Sequence, residues 1–190
     1  YYRPCGFALN SLLMRVLVGG VGGGGGGGGG LRVTIGGAGD QAGEDALSLC
    51  FDGEVLGAAL DLLGAARLRL RLALDKPLGF VVARLCDVGP DGASVRIAHG
   101  MRNLCHRDSM ERPAPMVPGQ AMEVGFKLDL TGYRLRAGHS LRLALSNSYW
   151  PFVWPSPEAA TLEITSASLD MPVHQGSGEA EWVPPPAETA

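Results

Sequence analysis

Residues 66–74 of this chain read ARLRLRLAL, and this stretch decides the fold class. Its leucines alternate with other residues, at Leu68, Leu70, Leu72 and Leu74. Successive side chains of a β-strand point to opposite faces, so a period of two places all four leucines on one face of a strand. A helix would scatter the same leucines around its circumference. The stretch therefore predicts a β-strand with one apolar face.

Similar apolar stretches recur along the chain, separated by turn signals. Residues 78–88 are more continuously apolar, as expected of a central strand. The following Gly89-Pro90-Asp91-Gly92 has the composition of a tight turn, and a further strand is predicted at residues 94–98. The two strands and the turn between them indicate a hairpin. Residues 55–63 offer the only helical alternative, which Gly57 weakens. The prolines lie in the segments between the predicted strands and not in the centres of the strands. Further strands are predicted at residues 101–106, 122–130, 140–146 and 160–165. Eight or nine short strands of this kind predict an all-β protein with a two-sheet β-sandwich.

The glycines are concentrated in one low-complexity block. The chain has 190 residues and 29 glycines, and within residues 19–30 only Val21 is not glycine. Such a block has high backbone entropy and no side chains to pack, so we expect a disordered linker, unless its glycines stand in for residues of unknown identity. A phosphate-binding loop would require a following Gly-Lys-Ser/Thr, which does not occur. We therefore predict an unassigned leader and poly-Gly linker at 1–30, a β-sandwich domain at 31–174 and a flexible tail at 175–190. The first residue, Tyr1, further suggests a fragment or a processed chain.

Charge and cysteine usage exclude several classes of protein. The net charge is −3, from 16 basic and 19 acidic residues, so no basic field exists to attract nucleic acid. The apolar residues 7–18 are too short to span a bilayer, and we expect no membrane partner. No CxxC pair is present, and three of the four cysteines lie in apolar runs, which predicts buried reduced thiols in a cytoplasmic protein without a metal or other cofactor. The cysteines are Cys5, Cys50, Cys86 and Cys105.

Residues 105–109 read CHRDS and contain the residue types of a nucleophilic site. Neighbours along an extended strand point to opposite faces, and catalytic triads are assembled from separate elements, so we interpret this stretch as a strand end leading into a proline-rich loop. No nucleophile elbow opens a helix after a strand, and the aspartates are scattered rather than grouped in a calcium-binding loop. The sequence therefore predicts no catalytic, cofactor-binding or metal-binding residue.

Residues 149–155 read YWPFVWP, in a chain with only 6% aromatic residues. Two interpretations remain open for this stretch. In the first interpretation, the stretch covers one end of the core or docks on a partner domain, because aromatic residues are enriched at protein interfaces. Alternatively, its flat rings form a platform for a carbohydrate.

Several further segments, in order and spacing, resemble the C-terminal domain of the Xaa-Pro dipeptidyl-peptidase and cocaine-esterase-like (CocE/NonD) serine hydrolases. They fall between residues 40 and 165, and they include Asp40-Gln41, VARLCDV at 82–88, GMRNLCHRDS at 100–109, GHSLRL at 138–143 and YWP at 149–151. One such segment would be weak evidence, whereas many in register are specific. Nothing in residues 1–30 matches the family.

The resemblance implies a jelly-roll-like, galactose-binding-like sandwich that packs against a catalytic α/β-hydrolase domain with a Ser-Asp-His triad. That family cleaves esters or amides, often releasing an Xaa-Pro dipeptide. No position of this chain matches the triad, so the resemblance implies an accessory domain, and its exposed docking face would also favour a homo-oligomer. The alternative is a stand-alone carbohydrate- or ligand-binding jelly-roll module. The candidate domain-interface residues are Asp40, Gln41, Asp45, Tyr149, Trp150, Phe152 and Trp154.

Overall fold

The computed structural model of the chain describes residues 39–174, together with the backbone of residues 2–5 and 14–17. The expected glycine linker and the expected tail at 175–190 lie outside these residues. The strands are β1 (Tyr2–Cys5), β2 (Met14–Leu17), β3 (Leu49–Asp52), β4 (Leu60–Leu74), β5 (Phe80–Val88), β6 (Ser94–Asn103), β7 (Met122–Leu135), β8 (Ser140–Ser146) and β9 (Thr161–Pro172). A one-turn helix, α1 (Ala42–Asp45), precedes β3, and a 3-10 helix (Leu104–His106) follows β6.

The strands form two antiparallel sheets packed face to face, so the predicted two-sheet β-sandwich is confirmed. The four-stranded sheet has the order β3-β8-β5-β6. The five-stranded sheet has the order β1-β9-β4-β7, and β2 also pairs with β9. β1 and β2 pair with opposite ends of β9. Tyr2 of β1 lies opposite Pro172, and Leu17 of β2 lies opposite Thr161.

The leucines of β4 form the centre of the core. Leu68, Leu70 and Leu72 are buried, and they belong to one apolar cluster with Val81 and Leu85 of β5. Burying such a side chain contributes about 1.5–3 kcal/mol, so the alternation in this strand is a main determinant of the sandwich. The intervening arginines lie on the outer face of the five-stranded sheet, where they are exposed.

Strand β5 is buried on both faces. Val81, Ala83 and Leu85 point inward, and the side chains between them, including Val82 and Arg84, are equally inaccessible to water. Because side chains alternate across a sheet, another layer must cover the outer face of the four-stranded sheet. That layer consists of residues 40–48 and the loop at residues 147–155.

Two sequence-based predictions of local structure are wrong. The strand expected at residues 101–106 ends at Asn103, because the Asn103 side chain accepts a hydrogen bond from the Cys105 amide (3.0 Å) and caps a 3-10 turn. The helical alternative for residues 55–63 is also wrong, since Leu60 already opens β4. Within the described residues, no helix is long and apolar enough to cross a membrane.

The two sheets approach each other closely where β6 meets β7. A Cβ atom on Gly100 would lie 2.9 Å from the carbonyl oxygen of Lys127 and 3.0 Å from Cα of Leu128. These are backbone atoms, which cannot rotate away as a side-chain end can. Only glycine therefore fits at this contact between the sheets.

Candidate docking surface

A buried arginine fixes the layer that covers the four-stranded sheet. Arg84 projects from the outer face of β5, and its Nη1 donates a hydrogen bond to Oε1 of Gln41 (3.0 Å). Its Nη2 donates to Oγ of Ser48 (2.9 Å) and lies 3.0 Å from Oδ1 of Asp45. A buried charge is strongly unfavourable unless it is paired and hydrogen-bonded. Arg84 therefore holds residues 41–48 against the sheet.

Asp45 connects this layer to two further strands. Its Oδ2 accepts hydrogen bonds from Oγ of Ser94 on β6 (2.7 Å) and from Nη1 of Arg142 on β8 (3.0 Å). Together with Arg84 on β5, one buried carboxylate thus bridges three neighbouring strands. Because every contact is charge-assisted or fully buried, the carboxylate orients α1 more strictly than apolar packing alone would.

At the edge of this network, hydrogen bonds and burial lower the pKa of one side chain and raise the pKa values of three others. Arg142 donates to both carboxylate oxygens of Asp52, at 2.6 and 2.8 Å. These hydrogen bonds hold the pKa of Asp52 below its usual value and raise the pKa of Arg142. Burial raises the pKa of the neighbouring Cys50 thiol and brings the pKa of Cys86 to about 11. Both cysteines are free, and because their raised pKa values keep them protonated, they are unreactive thiols at neutral pH.

The aromatic loop rests on the same arginine. Tyr149 and Val153 are buried against Val82 of β5. The Tyr149 ring centroid lies 5.7 Å from the Arg84 guanidinium, and the Tyr149 hydroxyl accepts a hydrogen bond from Arg96 of β6. Inside the loop, the Val153 amide donates to the Tyr149 carbonyl oxygen (2.8 Å). Tyr149 is therefore the anchor of the loop.

Three large rings of this loop remain exposed, and we call Trp150, Phe152 and Trp154 the docking surface. Their exposed fractions are 53%, 54% and 77%. Phe152 stacks on Tyr149 with ring centroids 5.1 Å apart, and the two indoles meet edge to face at 5.5 Å. Each exposed ring is thus held in place by contact with another ring.

A histidine lies at the border of the docking surface. His99 of β6 contacts the Phe152 ring at 5.4 Å between centroids, and its Nδ1 lies 2.6 Å from Oδ2 of Asp129 on β7. Burial lowers the pKa of His99; Asp129 acts in the opposite direction and Arg96 acts with burial. The border of the surface therefore contains a titratable group whose charged form is disfavoured.

The candidate interface residues predicted from sequence fall into two groups. Asp40 is exposed, but Gln41, Asp45 and Tyr149 are buried and make their contacts inside the domain. Among these candidate interface residues, the exposed large apolar side chains are those of Trp150, Phe152 and Trp154. Sequence reasoning missed Arg84, Arg96, His99 and Arg142. An arginine inside the apolar run at residues 82–88 was the one available signal, because such a residue requires a buried partner.

The stretch at residues 105–109 does not assemble a nucleophilic site. Sγ of Cys105 lies 3.7 Å from the Pro77 carbonyl oxygen, and Nδ1 of His106 lies 3.2 Å from the Ser109 carbonyl oxygen. Oγ of Ser109 accepts hydrogen bonds from the two following loop amides, those of Glu111 and Arg112. These Cys105, His106 and Ser109 side chains therefore contact backbone groups and not one another.

A second histidine–aspartate pair lies at the end of the sandwich. Nδ1 of His139 is 2.8 Å from Oδ1 of Asp87, whose other oxygen accepts from the Tyr133 hydroxyl (2.8 Å). Burial and this hydrogen bond raise the pKa of Tyr133 to about 12. Across the described part of the chain, no three His, Cys, Asp or Glu side chains converge as a metal site would require.

Residues 21–182 match the family described as the X-Pro dipeptidyl-peptidase C-terminal non-catalytic domain. The match includes residues 21–30, so the expectation that nothing in residues 1–30 matches the family is wrong for these ten residues. This chain belongs to that family. Cocaine esterase of Rhodococcus sp. (strain MB1 Bresler) is 26% identical to this C-terminal domain over 103 residues, which are 54% of the chain and 18% of the esterase. The fold and the buried polar network described above are therefore those of a non-catalytic domain.

Solved structures share the fold of this C-terminal domain. A selenomethionine-labelled alpha-amino acid ester hydrolase matches with a TM-score of 0.66 and 20% identity, over 72% of this chain and 27% of the hydrolase. An aminopeptidase from a marine sediment Thaumarchaeota archaeon matches with a TM-score of 0.64 and 19% identity, over 70% and 27% of the two chains. A CocE/NonD family hydrolase from Staphylococcus aureus matches with a TM-score of 0.58 and 14% identity, over 67% and 30%. The chain thus spans less than a third of each relative.

Proposed function

We propose that this C-terminal domain packs against a catalytic α/β-hydrolase domain through the docking surface of Trp150, Phe152 and Trp154. The observation that carries the proposal is that three exposed rings lie on a buried, charge-paired support. Large exposed apolar groups in contact with one another mark interaction sites. Tryptophan and arginine also dominate the binding energy of protein interfaces, and Arg96 lies 5.2 Å from the Phe152 ring centroid.

The fixed geometry of the loop lowers the cost of docking. Association must immobilise the side chains that enter an interface, and ordering a flexible loop costs still more. Tyr149 is already buried, and each exposed ring already contacts another aromatic ring. Most of the ordering is therefore complete before a partner binds.

The role that follows is structural and not chemical. The domain would close one side of the partner's active-site entrance, while the hydrolase domain supplies the serine, histidine and aspartate. The substrate would be the partner's, an Xaa-Pro peptide or an acyl ester. We further propose a cytoplasmic location, which the free thiols of Cys50, Cys86 and Cys105 favour.

The experiment adds the purified chain to a family hydrolase whose own C-terminal domain has been deleted. Calorimetry should detect binding, and turnover of an aryl ester or a proline-dipeptide amide should rise, whereas the chain alone should show no turnover. The double variant Trp150→Ala/Trp154→Ala should weaken binding at least tenfold, because two central aromatic contacts are lost. Leu130→Ala is the matched control, since Leu130 is 83% exposed on the other sheet. Equal effects of the two variants, or turnover by the chain alone, would contradict the proposal.

The second candidate is a carbohydrate-binding module, favoured by the exposure of the two indoles. Their planes meet at 68°, so they do not form one flat surface on which a sugar ring could stack. A glycan screen separates the two functions. Glycan binding that disappears in Trp150→Ala and Trp154→Ala would favour the module, and a blank screen would leave the accessory-domain function.

A further inference from the structure

Arg96 of β6 lies against the aromatic loop, at the border of the docking surface. Its guanidinium carbon is 5.2 Å from the Phe152 ring centroid and 5.8 Å from the Tyr149 ring centroid, and its Nη1 donates a hydrogen bond to the Tyr149 hydroxyl. Its other two nitrogens, Nε and Nη2, have no hydrogen-bond partner among the described residues, and neither is buried. A half-buried cation therefore presents free donors beside the exposed rings.

The positive charge of Arg96 has no counter-charge in the described part of the chain, where no carboxylate oxygen lies within 4.0 Å of its guanidinium. Glu44 of α1 is exposed and forms no ion pair with it. The other acidic side chains on the surrounding elements bond to other groups, namely Asp40, Asp45, Asp87, Asp91, Asp129 and Glu158. Besides burial, Arg96 lowers the pKa of His99, as an uncompensated positive charge would.

Docking would change the surroundings of this charge. A partner that covers Phe152 removes water from the adjacent guanidinium, and a charge taken out of water without a counter-charge is strongly unfavourable. A purely apolar partner surface would therefore bind poorly here. A neutral acceptor would satisfy the free donors but would leave the charge of Arg96 unpaired. A carboxylate does both, because its two oxygens can accept parallel hydrogen bonds from one guanidinium.

We propose that Arg96 binds an aspartate or glutamate carboxylate of the catalytic domain, presented beside an apolar side chain that packs on Phe152. This inference rests on the proposed function and adds the chemistry of the partner's surface. The free Nε and Nη2 are the same pair of nitrogens with which Arg142 binds both carboxylate oxygens of Asp52. The contacts with the two rings orient the guanidinium plane, which suits it to a paired contact of this kind.

The first test uses the full chain alone, with 3-phenylpropionate as a carboxylate beside an apolar group and 3-phenylpropionamide as its neutral match. In NMR spectra the carboxylate should perturb the His99 ring and the indoles of Trp150 and Trp154, and it should bind about fivefold more tightly than the amide or better, a preference that added salt weakens. Bound carboxylate should also raise the pKa of His99, because the charge of Arg96 is then compensated. Arg96→Gln should abolish the preference for the carboxylate. Arg134→Gln should retain it, since Arg134 is exposed on the other sheet.

Two further variants separate recognition of the carboxylate from support of the loop. Arg96→Lys keeps the charge but loses the fork of donors, so the preference for the carboxylate should fall without vanishing. Tyr149→Phe removes only the hydroxyl and should keep the preference. Loss of the preference in Tyr149→Phe would give Arg96 a purely supporting role and would overturn the proposal. Equal binding of acid and amide by the unmodified chain, or a preference that survives Arg96→Gln, would overturn it as well.

A docking measurement distinguishes this inference from the proposed function. Arg96→Gln should weaken binding to the hydrolase that lacks its own C-terminal domain by about tenfold or more, and should remove most of the salt dependence. Docking that is unchanged in Arg96→Gln would overturn the carboxylate contact and leave the docking surface in place. A chain that binds 3-phenylpropionate at Arg96 but does not dock would contradict the proposed function and still support a carboxylate site at Arg96.

Discussion

Oδ1 of Asp45 lies 3.0 Å from Nη2 of Arg84, and the two side chains are only 4% and 1% exposed. This ion pair lies outside the apolar core, on the outer face of the four-stranded sheet. It is buried because residues 41–48 and Tyr149 cover it. The docking surface consequently rests on a charged support, and its position depends on the integrity of that pair.

Asp45→Asn should therefore be strongly destabilising. The change is nearly isosteric, but it removes the only negative charge that faces the buried Arg84 guanidinium at close range among the described residues. Breaking a buried pair from one side costs about 3–5 kcal/mol, and urea unfolding should show a loss of that size. The matched control is Asp170→Asn, which breaks the exposed pair with Arg69 and should cost at most about 1 kcal/mol. Similar losses in the two variants would show that the Arg84 pair is not the support we describe.

The pH dependence at the border of the docking surface has a definite sign. Burial lowers the pKa of His99 from its usual value of 6.5, so the folded state resists protonation more than the unfolded state does. The contribution of neutral His99 to stability should be complete above pH 6.5 and should decline as the pH falls toward its lowered folded-state pKa. An NMR titration should place His99 below 6.5, lower still in Asp129→Asn and higher in Arg96→Gln. Unchanged titration in both variants would refute the assignment of these neighbours.

Gly100 and Gly125 make a matched pair of glycines. Gly100→Ala should cost about 1–3 kcal/mol, because the new methyl group meets the backbone of Lys127 and Leu128 at 2.9–3.0 Å and forces the sheets apart. Gly125→Ala meets nothing closer than 3.7 Å and should be nearly neutral. Thermal unfolding of the two variants measures the difference. A reversed order would mean that the sheets do not meet at Gly100.

The docking surface should also promote self-association in the absence of a partner. Three large rings are exposed together, and such patches associate when concentrated. Light scattering should show a mean mass that rises with concentration, and Trp154→Ser should reduce that rise. A clean monomer at high concentration would count against an apolar docking surface.

The parts of the fold that follow from local alternation could be predicted from sequence. The leucines of β4, the hairpin at Gly89–Gly92 and the bounds of β8 all appear in the pattern, because each depends on residues a few positions apart. The strand predicted through residue 106 was wrong since a single side chain, that of Asn103, caps a turn there. Whether residues continue a strand or form a helical turn depends on small local interactions of this kind. The hydrophobic periodicity of the sequence does not report such interactions.

The candidate site was much less predictable. Arg84 stands out in an apolar strand, but its partners Gln41, Ser48 and Asp45 are some forty residues away, and no pattern connects them. The aromatic stretch was visible, yet which rings are buried depends on Arg96 and Val82 beneath it. Contacts between distant segments decide both features, and they appear only when the chain is folded.

The position of β9 has a consequence for how the chain is made. β9 is the last described strand, but it lies inside its sheet, between β4 on one side and β1 with β2 on the other. Until residues 161–172 leave the ribosome, one edge of β4 keeps its amides and carbonyls unpaired, and the core leucines lack their contacts with Leu162, Ile164 and Leu169. Closure of the sandwich must therefore wait until residues 161–172 have been synthesised, and until then β4 remains at the edge of an open sheet.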